Sequence, residues 1–181
     1  MPTFVALLRG VNVGKAKRVP MAELRALLSE LGYSHVATLL NSGNAVFRAA
    51  KRTPVKHAAE ISSAIASKLK VEVPVIVKSA KEFAAIVSEN VLAEGAQDHS
   101  RLLVAFVQDP KSLSALAAIE PFVEPPEQFL VGTSAAYLHC AAGILESKAG
   151  EALLGKAGKA ATTRNWATVL KLQALINEPD A

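Results

Sequence analysis

A single cysteine, a single tryptophan, two tyrosines and no long apolar run mark what this chain of 181 residues does without. With Cys140 alone no internal disulfide can close, and a reducing, cytoplasmic setting is expected. No stretch approaches the roughly 18 consecutive apolar residues of a membrane span, so no membrane partner is expected. Residues 3–8 open as an apolar run with no basic lead and no small-residue cleavage site, so a secretory leader is not expected either. Aspartate occurs only at Asp98, Asp109 and Asp180, in a linker, a cap and the tail. That leaves no carboxylate pair for acid–base work or magnesium. His35, His57, His99 and His139 are scattered without ligand spacing, so neither a metal nor a cofactor is expected. Acidic residues are missing before Glu23, whereas Arg9, Lys15, Lys17 and Arg18 crowd the same stretch within a net charge of +4. A local cluster of one sign focuses potential more than the mean charge does.

What is present is a globular composition, 51% hydrophobic and 20% charged. A chain of this size buries roughly 70% of its unfolded surface without a disulfide or metal staple. Residues 3–8 read as a strand, followed by a Gly-rich basic loop and a helix opened by Pro20 with the stripe Met21, Leu24, Leu27, Leu28 and Leu31, closed by Gly32. Strands at 35–40 and 45–48 flank the turn Asn41-Ser42-Gly43-Asn44. A helix at 54–69 and a strand at 73–77 complete β-α-β-β-α-β, the split βαβ order of the ferredoxin-like fold. Ser79 and Glu82 have capping-box spacing and predict a linker helix to about residue 91.

The pattern then restarts. Residues 102–107 are apolar, Asp109-Pro110 opens a helix with Leu113, Leu116 and Ile119, and 127–131 pairs with 136–141 across Gly132-Thr133-Ser134. Helices follow near 147–154 and at 164–176, and no clear final strand closes the second copy. The expected fold is therefore α+β, two ferredoxin-like half-domains in tandem: a first lobe at 1–78, a linker helix and loop at 79–100, and a second lobe at 101–181 that ends in helices. The first strand of each half is apolar at almost every position, which predicts burial of both faces.

Chemistry concentrates in the loop Arg9-Gly10-Val11-Asn12-Val13-Gly14-Lys15. Two glycines and an asparagine there tolerate φ > 0 and can turn backbone N–H groups toward an anion, with Lys15 adding charge. The loop is one residue short of G-x-x-x-x-G-K-[ST], and Ala16 stands where the magnesium-binding hydroxyl would be. It is not G-x-G-x-x-G, because Asn12 replaces the second glycine. In a β-α-β-β-α-β unit the first two strands run parallel, so this loop and the turn carrying Ser42 and Asn44 leave the sheet on one edge. A loop that merely turns the chain fits the same residues. Thr163 reads as an N-cap that puts Arg164 and Asn165 in a first helical turn, where a cation opposes the helix dipole and implies a negative partner. Trp166 belongs to the apolar stripe. Cys140 and His139 are strand neighbours that point to opposite faces, so they form no catalytic pair, and Cys140 reads as a buried thiol. Phe4 and Phe47 alone do not make an RNA-stacking platform.

The runs Leu7-Leu8-Arg9-Gly10-Val11-Asn12-Val13-Gly14, Ser42-Gly43-Asn44 and Thr162-Thr163-Arg164-Asn165-Trp166, with Met21, Leu24, Val169 and Leu172, resemble the bacterial family called domain of unknown function 1697. The resemblance implies two ferredoxin-like lobes in one chain and supplies no activity. Its motifs fall on Arg9, Gly10, Asn12, Gly14, Ser42, Gly43, Asn44, Arg164, Asn165 and Trp166, and also on Ser147 and Lys148. Relatives carry a second small residue after Gly14, whereas Lys15-Ala16-Lys17 follows here, so Lys15 inherits no role.

Whether the chain is an enzyme stays open. The expected function is binding, with or without processing, of a small anionic or phosphorylated ligand by Arg9, Gly10, Asn12, Gly14, Lys15, Ser42, Asn44, Arg164 and Asn165. One alternative is sequence-independent nucleic-acid binding through residues 15–18 with Lys51, Arg52 and Lys56. The other is a protein-interaction module in which Arg9 and Arg164 are purely structural.

Overall fold

An apolar run such as residues 3–8 is stable as a strand only where both of its faces are covered. In the computed structural model, which describes residues 1–179, β1 (Thr3–Leu8) meets that condition: Phe4, Val5, Ala6, Leu7 and Leu8 are all buried. Asp180 and the last residue of the expected second lobe lie outside the described residues. The protein is a mixed α+β structure with two four-stranded antiparallel sheets, and it divides into two compact units, Met1–Phe83 with Leu172–Ala181, and Ala84–Lys171.

The first unit runs β1, α1 (Met21–Glu30), β2 (Ser34–Leu39), β3 (Asn44–Arg48), α2 (Pro54–Leu69), β4 (Val75–Ser79) and the start of α3 (Ala80–Glu89). Its sheet order is β2-β3-β1-β4. Register puts Val5 opposite Val46 on one side and opposite Lys78 on the other. Alternation sends Phe4, Ala6 and Leu8 into a core with Leu24, Leu28, Ile61 and Ile65 of the two helices. Thr53 caps α2 by accepting the Lys56 amide, and Pro54 supplies the preset φ of a first helical residue. Ser79 accepts the Glu82 amide at 3.1 Å and bonds the Glu82 carboxylate at 3.2 Å, so the predicted capping pair starts α3. At the centre of this core Phe47 stacks on Tyr33 at 4.5 Å between ring centres. Truncating a buried ring of that kind to alanine costs about 3–5 kcal/mol.

The second unit continues with β5 (Leu102–Val107), β6 (Gln128–Val131), β7 (Ala136–His139), α4 (Lys148–Leu154), β8 (Ala161–Asn165) and the start of α5 (Trp166–Ile176), with sheet order β6-β7-β5-β8. Two expectations change here. The element at Pro110–Phe122 is a 3-10 helix, capped by Asp109 as expected. Its buried residues Leu113, Leu116 and Ile119 recur every third position, which matches three residues per turn rather than 3.6. The second correction is larger: a final strand does close this sheet, and the second copy does not end in helices alone. β8 pairs with β5, Val104 opposite Arg164 and Phe106 opposite Thr162. Thr162 and Thr163 are β-branched residues that serve equally as caps or as strand residues, and only pairing with β5 decides between the two. Among the described residues no helix is long and apolar enough to cross a membrane.

Tyr33 and Tyr137 are the chain's only tyrosines. Burial, aided by Glu60, pushes the Tyr33 phenol above its ordinary value of 10.0, and burial, aided by Glu89, does the same to Tyr137. An acid whose folded pKa is raised stabilises the fold fully below its unfolded value, and that contribution is lost as pH climbs past it. Near pH 10 the native protein should therefore show almost no tyrosinate absorbance, which should rise only in step with loss of the circular dichroism signal. Half-ionised phenols in a fully folded sample would contradict the burial.

Candidate functional site

The chain leaves β1 held on both sides, with the Leu8 amide donating to Gly43 O at 2.9 Å and the Arg9 amide to Pro74 O at 3.0 Å. It then takes left-handed φ at Gly10 (68°), Asn12 (57°), Gly14 (63°) and Lys17 (48°). The Asn12 amide donates to Lys17 O at 3.0 Å, and Val13 bridges Ala16. These contacts make a miniature hairpin whose two-residue tip is Gly14-Lys15. Positive φ at the first tip position is what a type II′ turn requires, and glycine meets it at no steric cost. Lys15, Lys17 and Arg18 are exposed on this finger, and Arg9 is half-buried at its base.

Asn12 fastens the finger to the sheet edge. Its Nδ2 donates to Val19 O at 2.9 Å and to Asn41 O at 2.6 Å, while its Oδ1 accepts the Val19 amide at 2.8 Å. One side chain thus joins both ends of the loop to the β2–β3 turn. Asparagine suits the post because it tolerates left-handed φ and carries donor and acceptor together. The turn is equally determined: a Cβ on Gly43, at φ 87°, would stand 2.6 Å from Leu8 Cβ. Asn44 is fully buried and donates through Nδ2 to Leu39 O and to Ser42 Oγ, both at 2.9 Å.

The structure therefore brings Arg9, Gly10, Asn12, Gly14, Lys15, Ser42 and Asn44 to one edge of the first sheet and divides them by task. The amides of Asn12 and Asn44 are engaged with protein, whereas Gly10, Gly14 and Lys15 are exposed, as is Ser42, whose Oγ accepts from Asn44.

Arg164 and Asn165 belong to the second unit, and here the expectation of a helix start is corrected. Arg164 lies in β8, and the cap of α5 is Asn165, whose Oδ1 accepts the Thr168 amide at 2.9 Å, not Thr163. Arg164 is only 8% exposed, and its guanidinium donates through Nη1 to Thr162 Oγ1 at 2.9 Å and to Thr163 O at 2.7 Å. Burial pulls its pKa down to about 10. Arg164 is thus not in the first turn of α5, where a cation opposes the helix dipole and implies a negative partner.

One repeat of residues escaped the sequence reading. Lys78 stands opposite Val5 as Arg164 stands opposite Val104, and the next residue in each case, Ser79 or Asn165, caps a helix. Each final strand thus ends in a buried cation followed by a cap. Lys78 is 3% exposed, with its Nζ 3.5 Å from Glu82 Oε2. The signal was present as [Lys/Arg]-[Ser/Asn] before an apolar helix, but it is visible only once β8 is recognised. Elsewhere Arg52 is paired with Glu60 at 3.3 Å, Ser147 caps α4 by accepting the Gly150 amide at 2.9 Å, and Lys148 pairs with Glu124 at 3.2 Å. Burial pushes the Cys140 thiol up, away from the reactive thiolate. Among the described residues no group of three or more His, Cys, Asp or Glu is placed to hold a metal ion.

This chain belongs to the family described as Protein of unknown function (DUF1697), whose model matches residues 1–137. The conserved bacterial protein SP0830 from Streptococcus pneumoniae is similar in structure, with a TM-score of 0.81 and 23% identity over 97% of this chain and 99% of that one, a likeness of fold alone. No curated protein matches the chain.

Two substitutions test the edge. Asn12→Ala removes three hydrogen bonds and should cost about 1–3 kcal/mol in urea unfolding. Gly43→Ala adds a methyl against Leu8 at a disfavoured φ and should cost about 1–3 kcal/mol. Wild-type midpoints for either variant would show that the finger is not clamped.

Proposed function

We propose that the finger at residues 9–18 and the β2–β3 turn form a binding site for a small anionic, phosphorylated ligand in the first unit. The observation that carries this reading is the clamped finger itself. Exposed Lys15, Lys17 and Arg18 stand on a loop held by Asn12, with left-handed glycines on either side and no acid in the chain before Glu23. A loop already held in one conformation loses little entropy on binding, so charge–phosphate contacts translate into affinity. Residues Gly10, Gly14, Lys15 and Ser42 are the contacts this reading uses, with Arg9 at the base, while Asn12 and Asn44 hold the shape. Arg164 and Asn165 take the structural part, in line with a buried arginine whose guanidinium donates to Thr162 and Thr163. Two ferredoxin-like units in tandem are the architecture assumed, supported by element order β-α-β-β-α-β and sheet order β2-β3-β1-β4. A cytoplasmic setting belongs to the same reading, supported by the lone, buried Cys140.

A second reading draws on the same exposure. Three cations on a projecting finger also suit a polyanion, and Lys51 and Lys56 are exposed in the same unit.

A panel of nucleotides and phosphorylated metabolites, screened by thermal denaturation, should contain a compound that raises Tm. Lys15→Ala should weaken its binding roughly tenfold, the effect of losing one charge-assisted hydrogen bond. No response to any panel member would reject the reading. Binding to single-stranded or duplex nucleic acid, with log affinity falling against log salt at a slope near −0.9 per phosphate contacted, would favour the second reading instead.

A further inference from the structure

The turn between β6 and β7 aims its backbone amides at one carboxylate. Glu89 Oε1 accepts the amides of Thr133 at 2.5 Å and Ser134 at 3.2 Å, and Oε2 accepts those of Ser134 at 3.1 Å and Ala135 at 3.3 Å. The Tyr137 hydroxyl shares its one proton between Oε2, at 2.8 Å, and Ile86 O, at 2.7 Å. Gly132 leaves the space for this, since a Cβ there would fall 2.3 Å from Oε2. Successive N–H groups that converge on one point form an anion nest, and the two carboxylate oxygens here share its donors.

Glu89 itself is poorly suited to occupy that nest. It is the last residue of α3, where the helix dipole is negative, and the last turn holds no basic residue to offset it. The next residue, Asn90, is 5% exposed, and neither its Oδ1 nor its Nδ2 has a hydrogen-bond partner. A buried amide left in that state opposes the conformation that contains it. The donors are therefore well placed, while the segment that delivers the carboxylate is held there at a cost.

We propose that the turn at residues 132–135, with the Tyr137 hydroxyl, is a binding site for a small carboxylate, and that Glu89 is its internal, displaceable occupant. An entering carboxylate takes over the five donor contacts, and Glu89, already partly exposed, moves into water. The inference is independent of the phosphate reading, because it concerns other residues in the second unit.

The test is an acetate titration of the full chain, followed by the 15N–1H signals of Thr133, Ser134 and Ala135, with sodium chloride at equal ionic strength as the control. In Glu89→Ala the vacated nest should bind acetate saturably, shifting those three amide protons downfield. It should also raise Tm by about 3 °C at roughly tenfold excess over Kd. Wild type, whose three amides already bond a carboxylate, should start with those protons downfield and show only a small saturable change, with an apparent Kd at least about tenfold weaker because its nest is open only part of the time. The double variant E89A/G132A, whose added methyl occupies the oxygen position, should lose the response. Absence of an acetate-specific shift in E89A, an undiminished response in the double variant, or a wild type that never responds would each overturn the proposal. If E89A does not fold, E89Q keeps the side-chain length without the charge and is read by the same signals.

Discussion

Two central strands that are apolar and buried on both faces set the conditions for everything else in this protein. β1 and β5 tolerate no unpaired polar group beside them, because an unsatisfied donor or a bare charge in such surroundings costs several kcal/mol. Polar chemistry is therefore confined to where strands end. The exceptions prove informative: Lys78 and Arg164 sit beside β1 and β5 at matching register positions, each near a strand terminus, and each has polar atoms within reach. The cost of desolvation is still visible in the lowered pKa of Arg164.

The same element order produces two strand-to-strand turns, and they are satisfied in opposite ways. In the first unit the β2–β3 turn presents carbonyls, of Asn41 and Gly43, which are met by the Asn12 amide and the Leu8 backbone. In the second the β6–β7 turn presents N–H groups, which are met by the Glu89 carboxylate. A turn that presents carbonyls is closed by donors and leaves a basic finger outside it, whereas a turn that presents amides is itself an oxyanion receptor. Sequence divergence at a few turn residues thus separates the chemistry of the two units without altering their scaffolds. Membership in a family of unknown function adds no activity to this contrast, so it rests on geometry.

Most of the scaffold was legible because its signals are local. The strands at 3–8 and 102–107, the helix at 54–69, the capping pair Ser79 and Glu82, and the turn at Gly43 each declare themselves within a few residues. The misreadings arose where one local signal serves two structures. Thr162-Thr163 fits a cap or a strand, and the stripe Leu113, Leu116 and Ile119 fits either kind of helix until its three-residue spacing is set against the 3-10 turn it forms.

By itself the sequence determined the order of elements in the first unit, the doubly buried central strands and the basic loop, since propensity, period and charge are properties of neighbours along the chain. The tertiary structure alone decided what the polar side chains do. Asn12 finds its acceptor 29 residues away and Glu89 finds its first donor 44 residues away. Such hydrogen bonds are selected by the closure of the sheet and leave no periodic trace in the order of residues.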